Sequence, residues 1–74
     1  MSQKNLGIIG GGQLGSMLSS AAKKLNLKTT VYCDDNDAPA QNFCDEFIFG
    51  DYEDKEKILE FVKKVDFITY EFEN

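Results

Sequence analysis

Short apolar runs alternate along this chain with longer segments in which apolar and polar residues are mixed. Four runs, at residues 6–9, 29–33, 46–49 and 67–70, contain mainly aliphatic, β-branched and aromatic side chains. The first three are followed directly by Gly10, Asp34 and Gly50, which are residues that favour turns. Runs of this length bounded by turn residues are typical of short strands, so we predict four strands at these positions.

The segment between the first two strands has a helical period instead. Its apolar side chains recur three and four residues apart, which places them along one face of a helix: Leu14, Met17, Leu18, Ala21, Ala22 and Leu25. Lys23 and Lys24 fall in the last turn, where positive charge favours the helix dipole. Asn26 is a candidate for a left-handed residue that ends the helix.

A second helix is predicted between the third and fourth strands. Asp54 offers an N-cap, and the apolar positions that follow are Ile58, Phe61, Val62 and Val65. A shorter helix is expected over residues 38–43, with Asp37 as its cap and Pro39 in its first turn, where proline is tolerated. The predicted element order is therefore β-α-β-(α)-β-α-β.

Alternation of this kind predicts an α/β fold with a parallel sheet and right-handed crossovers. We expect a Rossmann-like sheet in the strand order 3-2-1-4, with helices on both of its faces. A chain of 74 residues allows one small domain with a marginal core. We therefore expect residues 1–74 to be a fragment of a longer protein.

A glycine-rich motif follows the first predicted strand and opens the first predicted helix. It reads G-G-G-Q-L-G, which fits G-x-G-x-x-G and predicts a phosphate loop made of Gly10, Gly11, Gly12 and Gly15. In such a loop Gly10 permits the sharp turn, Gly12 lets a ligand approach the backbone, and Gly15 lets the helix pack on the strand. The N–H groups around Gln13 and Leu14 would then point at an anion. The alternative is a tight strand-to-helix connection without a ligand.

Two glutamates follow the fourth predicted strand. In the order 3-2-1-4 this strand lies beside the first, so Glu71 and Glu73 would line the same crevice as the glycine turn. Two residues apart in an extended segment, their side chains point to the same side. We consider both of them candidates for binding a ribose hydroxyl or a ring amine, and the alternative is that they are solvated residues beyond a strand.

Asp34 supports a competing hypothesis. An acidic residue at the end of the second strand, about twenty residues after the glycines, is what the ribose of NAD would meet. The alternative is a turn-forming or helix-capping aspartate, since Asp35 and Asp37 follow closely. Calcium is not expected, because residues 35–40 lack the glycine and the later glutamate of an EF-hand loop.

Composition narrows the chemistry that this chain can perform. It contains 13 acidic residues, 8 lysines, no arginine and no histidine, for a net charge of −5. The absence of histidine excludes Ser-His-Asp and Cys-His nucleophile systems, and we predict neither a catalytic residue nor a metal site here. An acidic chain with scattered lysines also argues against nucleic-acid partners.

The remaining features predict a cytoplasmic protein with no membrane contact. The apolar runs are only a few residues long, and the N-terminus leads into glycines rather than into a signal sequence. Cys33 and Cys44 are too few and too isolated for a disulfide framework, so we expect two buried, reduced thiols.

Four segments of the chain together resemble one enzyme family. They are residues 7–15, residues 37–40, residues 49–52 and the ending T-Y-E-F-E-N at residues 69–74. Combined, they are similar to the 5-(carboxyamino)imidazole ribonucleotide synthase family, across almost the whole chain. Residues 1–74 look like the N-terminal, pre-ATP-grasp domain of that family, which is of the biotin carboxylase N-terminal type. The resemblance departs at Ser16, where relatives often carry arginine, and at Lys55, where proline is common.

The resemblance implies an ATP-dependent ligase of de novo purine synthesis that carboxylates aminoimidazole ribonucleotide with bicarbonate. It implies that ATP and Mg²⁺ bind mainly in later ATP-grasp domains and that the full-length enzyme is a homodimer. It places Gly12, Gln13 and Leu14 at the substrate phosphate and Glu71 at its ribose or base, with Glu73 as a weaker candidate. A dinucleotide-binding domain of an oxidoreductase and a regulatory Rossmann-like module remain the alternatives.

Overall fold

The computed structural model describes residues 4–10 and 13–70. Within these ranges the chain forms four strands, two α-helices and one short 3₁₀ helix. In chain order these elements are β1 (Asn5–Ile9), α1 (Gln13–Lys24), β2 (Lys28–Cys33), the 3₁₀ helix (Pro39–Asn42), β3 (Glu46–Phe49), α2 (Lys55–Lys64) and β4 (Phe67–Tyr70).

The four strands form one parallel sheet in the order β3-β2-β1-β4. Strand β1 pairs with β2 in a register that sets Ile8 beside Val31, and with β4 so that Ile9 lies beside Tyr70. The predicted strand order and parallel direction are confirmed. The predicted strands at 46–49 and 67–70 have the observed bounds, while β1 and β2 each begin one residue earlier than predicted.

The helices cover opposite faces of the sheet, as the α/β pattern predicts. On one face Ile8, Val31 and Cys33 form a core with Ala38 and Ala40, against which Leu18 of α1 packs. On the other face the ring of Tyr32 meets Phe61 of α2, and both side chains are fully buried. Each buried strand thus contributes alternate residues to two small apolar layers.

Only part of the apolar stripe of helix α1 is buried. Ala22 is buried and Leu18 is half-buried, but Met17 and Leu25 are 61% and 73% exposed. The spacing places these side chains along one helix face, and a helix on a flat sheet buries only the side chains nearest to it. Asn26 has a φ of 61°, which confirms the left-handed stop.

The predicted cap of α2 is confirmed and that of the shorter helix is wrong. The Asp54 side chain accepts a hydrogen bond from the backbone N–H of Lys57 at 3.2 Å. The shorter helix begins after Ala38, which makes no side-chain cap, whereas the backbone N–H of Asp37 donates to the carboxylate of Asp35 at 2.9 Å. Asp37 therefore lies in an Asx turn, one residue before the N-cap position of the helix.

Polar side chains connect the amino ends of the strands. Asn5 accepts a hydrogen bond from the Thr30 hydroxyl at 3.0 Å, and its amide donates to the carbonyl of Lys64 at 2.9 Å. The carboxylates of Asp66 and Asp45 accept from the backbone N–H groups of Asn5 and Thr29, respectively, at 2.7 and 2.8 Å. We refer to these five side chains (Asn5, Thr29, Thr30, Asp45 and Asp66) as the amino-edge network.

Two further properties complete the description of the fold. The Ser19 hydroxyl of α1 is fully buried and, in the part of the chain that the structure describes, has no hydrogen-bond partner. No helix among the described residues is long and apolar enough to cross a membrane.

Candidate functional site at the carboxyl edge of the sheet

The carboxyl ends of the strands converge on one edge of the sheet. Strand β1 leads into Gly10, β2 into Asp34 and β3 into Gly50, and β4 ends at Tyr70 beside Ile9. Ligands of open α/β sheets bind outside this edge, where neighbouring strands lead to helices on opposite faces. Here β1 leads to α1 on one face and β3 to α2 on the other, so the edge is the candidate site.

Gly10 has the backbone geometry that a sharp turn after β1 requires. Its φ of 110° lies in a region that residues with a Cβ rarely adopt. Its N–H donates to the carbonyl of Tyr32 at 2.8 Å, so the turn is tied to β2. Because that N–H is already used, any anion at this turn must find its donors farther along the chain.

Gly15 lets α1 begin close to the end of β1. It is buried, and a Cβ at this position would lie 2.9 Å from the carbonyl oxygen of Gly10. The two glycines therefore have the local geometry that the sequence predicts for them. Their role toward a ligand remains a prediction.

The amino end of α1 has the electrostatic character of an anion site. Gln13 and Leu14 are its first two residues, and the first N–H groups of an α-helix have no partner within the helix. The first turn contains no acidic residue, and Lys23 and Lys24 lie in the last turn. No carboxylate in the first turn therefore neutralises the positive end of the helix dipole or repels an anion there.

Asp34 follows β2 directly and its side chain is exposed at this edge. The neighbouring Asp35 is used in the Asx turn with Asp37, and the carbonyl of Asp35 also accepts from the backbone N–H of Ala38 at 3.3 Å. The acidic segment therefore includes a built turn, which agrees with the structural alternative for Asp35 and Asp37. Asp34 stays a candidate for binding a ligand hydroxyl.

Two phenols that sequence reasoning did not single out lie at the same edge. The Tyr32 hydroxyl donates to the carbonyl of Asp51 at 2.6 Å, and the Tyr52 hydroxyl lies 3.7 Å from the Cys33 sulfur. Their rings are tilted against each other with centroids 6.1 Å apart. Residues 50–54 connect β3 to α2. The contacts of the two tyrosines hold this connection against the end of β2.

The surroundings of both phenols favour the neutral form. Burial raises the pKa of Tyr32, and the carboxylates of Asp54 and Asp51 raise it further. Burial also raises the pKa of Tyr52, together with its hydrogen bond to Cys33 and the charge of Asp34, while a hydrogen bond to the Asp34 backbone opposes the shift. Both phenols are therefore hydrogen-bonding groups at neutral pH and not bases.

Both cysteines are free thiols, as expected. Cys33 is buried, whereas Cys44 is only half-buried, so the prediction of two buried thiols is confirmed for Cys33 alone. Burial raises the pKa of the Cys44 thiol, which keeps it protonated and unreactive near neutral pH.

Several predicted site residues lie outside the part of the chain that the structure describes. Gly11, Gly12, Glu71 and Glu73 lie outside the described residues, and so do the side chains of Gln13 and Leu14. Within residues 4–10 and 13–70, no cluster of three or more acidic or cysteine side chains could hold a metal ion. The described residues therefore offer no acidic cluster for Mg²⁺.

A separate groove runs along the outer flank of α1. It encloses about 340 Å³ and is lined by Ser16, Met17, Ser20, Ala21, Lys24 and Phe43. Its lining includes neither Gly10 nor Asp34, so the groove is distinct from the carboxyl edge of the sheet.

The fold and the turn together define a class. A parallel sheet in the order β3-β2-β1-β4, with a glycine turn that opens a helix at the switch point, is typical of Rossmann-like α/β domains. More specifically, the chain belongs to the ribonucleotide synthetase preATP-grasp domain family, whose model matches residues 3–74. The family resemblance found in the sequence is confirmed.

Known proteins with the same domain are longer than this chain. N5-carboxyaminoimidazole ribonucleotide synthase from Staphylococcus haemolyticus is 45% identical over 69 residues, which is 93% of this chain and 18% of the relative. The Thermotoga maritima synthetase has a TM-score of 0.89 at 40% identity, over 95% of this chain and 20% of that one. The Staphylococcus aureus synthetase complexed with ADP has a TM-score of 0.91 at 42% identity, over 96% of this chain and 19% of that one. The chain thus spans about a fifth of the relatives that it matches.

Proposed function

We propose that this chain is the N-terminal, substrate-binding part of an ATP-dependent ligase that makes 5-(carboxyamino)imidazole ribonucleotide. The reaction joins bicarbonate to the exocyclic amine of aminoimidazole ribonucleotide in purine biosynthesis. The observation that carries the proposal is the backbone geometry of Gly10 and Gly15 at the switch point of the sheet, in a chain that is 45% identical over 69 residues to a synthase of that name.

The residues of this chain would bind and orient the ribonucleotide. The N–H groups at Gly12, Gln13 and Leu14 would donate to its phosphate, since the chain has no arginine to do so. Glu71 would accept hydrogen bonds from the ribose or the base, and Glu73 is a second candidate. Each N–H contact at a helix start contributes only about 0.3–1 kcal/mol at an exposed site, so tight binding needs further domains.

The catalytic chemistry would lie in the remaining four fifths of the protein. We propose that ATP and Mg²⁺ bind mainly there. Nucleotide binding is supported by the Staphylococcus aureus synthetase, which is complexed with ADP, whereas the Mg²⁺ and the location of both ligands rest on the family resemblance. Two other parts of the proposal, a homodimeric full-length enzyme and a cytoplasmic location, rest on the family resemblance alone.

A chimera tests the proposal directly. This chain would replace the 69 aligned residues of the Staphylococcus aureus enzyme, with which it is 44% identical. We expect ADP formation that depends on both aminoimidazole ribonucleotide and bicarbonate. A chimera that folds and binds ATP but shows no dependence on the ribonucleotide would contradict the assignment.

A single substitution in the chimera tests the role of Glu71. Glu71→Gln should raise the KM for the ribonucleotide roughly tenfold, because one charge-assisted hydrogen bond is lost. The KM for ATP should stay nearly unchanged. The matched control is Glu60→Gln, the same change at an exposed position of α2. An equal rise in both KM values for Glu71→Gln would count against its role.

Binding to the 74-residue chain separates this proposal from a dinucleotide site. Asp34, exposed directly after β2, is the observation that favours NAD. We expect aminoimidazole ribonucleotide to shift the amide resonances of Gln13, Leu14 and Gly15, and NADH to leave them in place. Shifts with NADH alone would favour an oxidoreductase or regulatory domain instead.

A further inference from the structure

Tyr32 contacts two turns of the candidate site at once. Its backbone carbonyl accepts the hydrogen bond from Gly10, at 2.8 Å, and its hydroxyl donates to the carbonyl of Asp51, at 2.6 Å. In addition, the N–H of Gly50 donates to the carbonyl of Cys33 at 3.0 Å. The last two residues of β2 therefore connect the glycine turn to residues 50–54.

The surroundings of the Tyr32 side chain leave it a single position. The ring is fully buried between Tyr52 and Phe61, with centroid distances of 6.1 and 5.6 Å. A Cβ on Gly50 would lie 2.5 Å from the Tyr32 hydroxyl oxygen, so only glycine leaves room for the phenol there. A side chain held this tightly fixes the backbone to which it is attached.

We propose that Tyr32 is a positioning residue for the phosphate of the substrate. Its hydroxyl, bonded to Asp51, anchors the end of β2, and the Tyr32 carbonyl then fixes Gly10 at the start of the turn. Gly10 needs such an anchor because its φ of 110° is one of many conformations that a glycine can adopt. This inference rests on the proposed function for the identity of the ligand, but the coupling of Tyr32 to Gly10 can be measured without any ligand.

Tyr32→Phe removes the hydroxyl and keeps the ring, and Thr30→Val is its matched control. Thr30 lies two residues earlier on the same face of β2, and its side chain is equally buried. The Thr30 hydroxyl donates to Asn5 in the amino-edge network, at the opposite end of the strand. Each variant therefore loses one buried hydroxyl donor, and the two should lose similar amounts of stability.

The first measurement is hydrogen exchange of the Gly10 amide in the unliganded 74-residue chain. We expect Tyr32→Phe to accelerate this exchange about fivefold beyond any effect of Thr30→Val, as expected for the loss of one hydrogen bond. The second measurement is the dissociation constant for aminoimidazole ribonucleotide, which should rise by a similar factor in Tyr32→Phe only. A residue that merely stabilises the fold would give the same result in both variants.

The outcomes distinguish this inference from the proposed function. Equal Gly10 exchange in the two variants would overturn the positioning role. If the chimera shows no dependence on the ribonucleotide while Tyr32→Phe still accelerates exchange at Gly10, the proposed function fails and the coupling stands.

The chimera provides a second test in case a variant does not fold as an isolated chain. In the chimera with the Staphylococcus aureus enzyme, Tyr32→Phe should raise the KM for the ribonucleotide severalfold while kcat and the KM for ATP stay unchanged. Thr30→Val should change none of the three. An unchanged KM in Tyr32→Phe would overturn the inference there as well.

Discussion

The amino and carboxyl ends of the strands are held by different chemistry. At the amino ends, side-chain carboxylates, amides and hydroxyls bond to the backbone and to one another, as in the pairs Asn5–Thr30 and Asp66–Asn5. At the carboxyl ends the strands are joined by backbone N–H groups and by two phenols. The side chains of the amino-edge network are thus bonded within the fold, whereas at the carboxyl edge the start of α1 is the proposed binding site. Under the proposed function, substitutions in the amino-edge network should affect stability alone, and substitutions at the carboxyl edge should affect binding as well.

The largest effect is expected at the carboxyl edge itself. Gly15→Val would place a branched side chain where a Cβ already lies 2.9 Å from the Gly10 carbonyl oxygen. We expect a loss of about 2–3 kcal/mol in the free energy of unfolding, typical of overpacking, together with loss of ribonucleotide binding. Urea denaturation and a ligand titration measure the two. Retention of both properties would show that α1 does not need this close approach.

A change in the amino-edge network should affect stability alone. Asn5→Ala removes the acceptor for the Thr30 hydroxyl and the donor to the Lys64 carbonyl. We expect a loss of roughly 2 kcal/mol, because the buried Thr30 hydroxyl is left without its partner. Ribonucleotide affinity, measured where the variant is fully folded, should stay unchanged. A weakened affinity would erase the division between the edges.

Alkaline pH should weaken the carboxyl edge selectively. Burial raises the pKa of Tyr32 and Tyr52 in the folded chain, so the folded state holds the two phenolic protons more tightly than the unfolded state does. Their contribution is complete below the unfolded pKa of about 10 and is lost as the pH rises further. The free energy of unfolding should therefore fall above pH ~10, and less steeply in Tyr52→Phe. Identical pH profiles for the two proteins would contradict this assignment.

The smallest effect is expected from an exposed ion pair that belongs neither to the amino-edge network nor to the carboxyl edge. Lys64 donates to the carboxylate of Glu46 at 2.7 Å, and this hydrogen bond raises the pKa of Lys64. Exposed pairs of this kind contribute little, because solvent screens them and both side chains lose freedom. Lys64→Met should leave the urea midpoint unchanged within error at physiological salt. A clear destabilisation would add this pair to the forces that hold α2 on the sheet.

Most of the fold can be predicted from the sequence, because the spacing of apolar residues, the helix caps and the turn residues all indicate the same elements. Asn26 and Asp54 end and begin their helices as predicted, since left-handed stops and N-caps depend on neighbouring residues only. The spacing of Met17 and Leu25 predicts the helix but not their exposure, because burial depends on how much of α1 the sheet reaches. Asp37 is not a cap because the 3₁₀ helix begins one residue later than predicted, with Ala38 at the N-cap position.

The candidate site likewise has one part that the sequence predicts and another part that it does not. Gly10 and Gly15 could be interpreted from the sequence because their geometry follows from a strand, a turn and a helix in succession. The contacts of Tyr32 with Asp51 and Phe61 join residues far apart in the chain, so no local pattern indicates them. The roles of Glu71 and Glu73 remain predictions.

The buried hydroxyl of Ser19 bears on how this domain can be engineered. Ser19 has no hydrogen-bond partner among the described residues, and such a serine in the middle of a helix is less favourable than alanine both in helix propensity and in the cost of burying its oxygen. A chain selected for maximal stability would carry alanine at this position. Replacing Ser19 by alanine should therefore stabilise the domain at a position away from the carboxyl edge. This gain in stability could offset a costly change made at that edge.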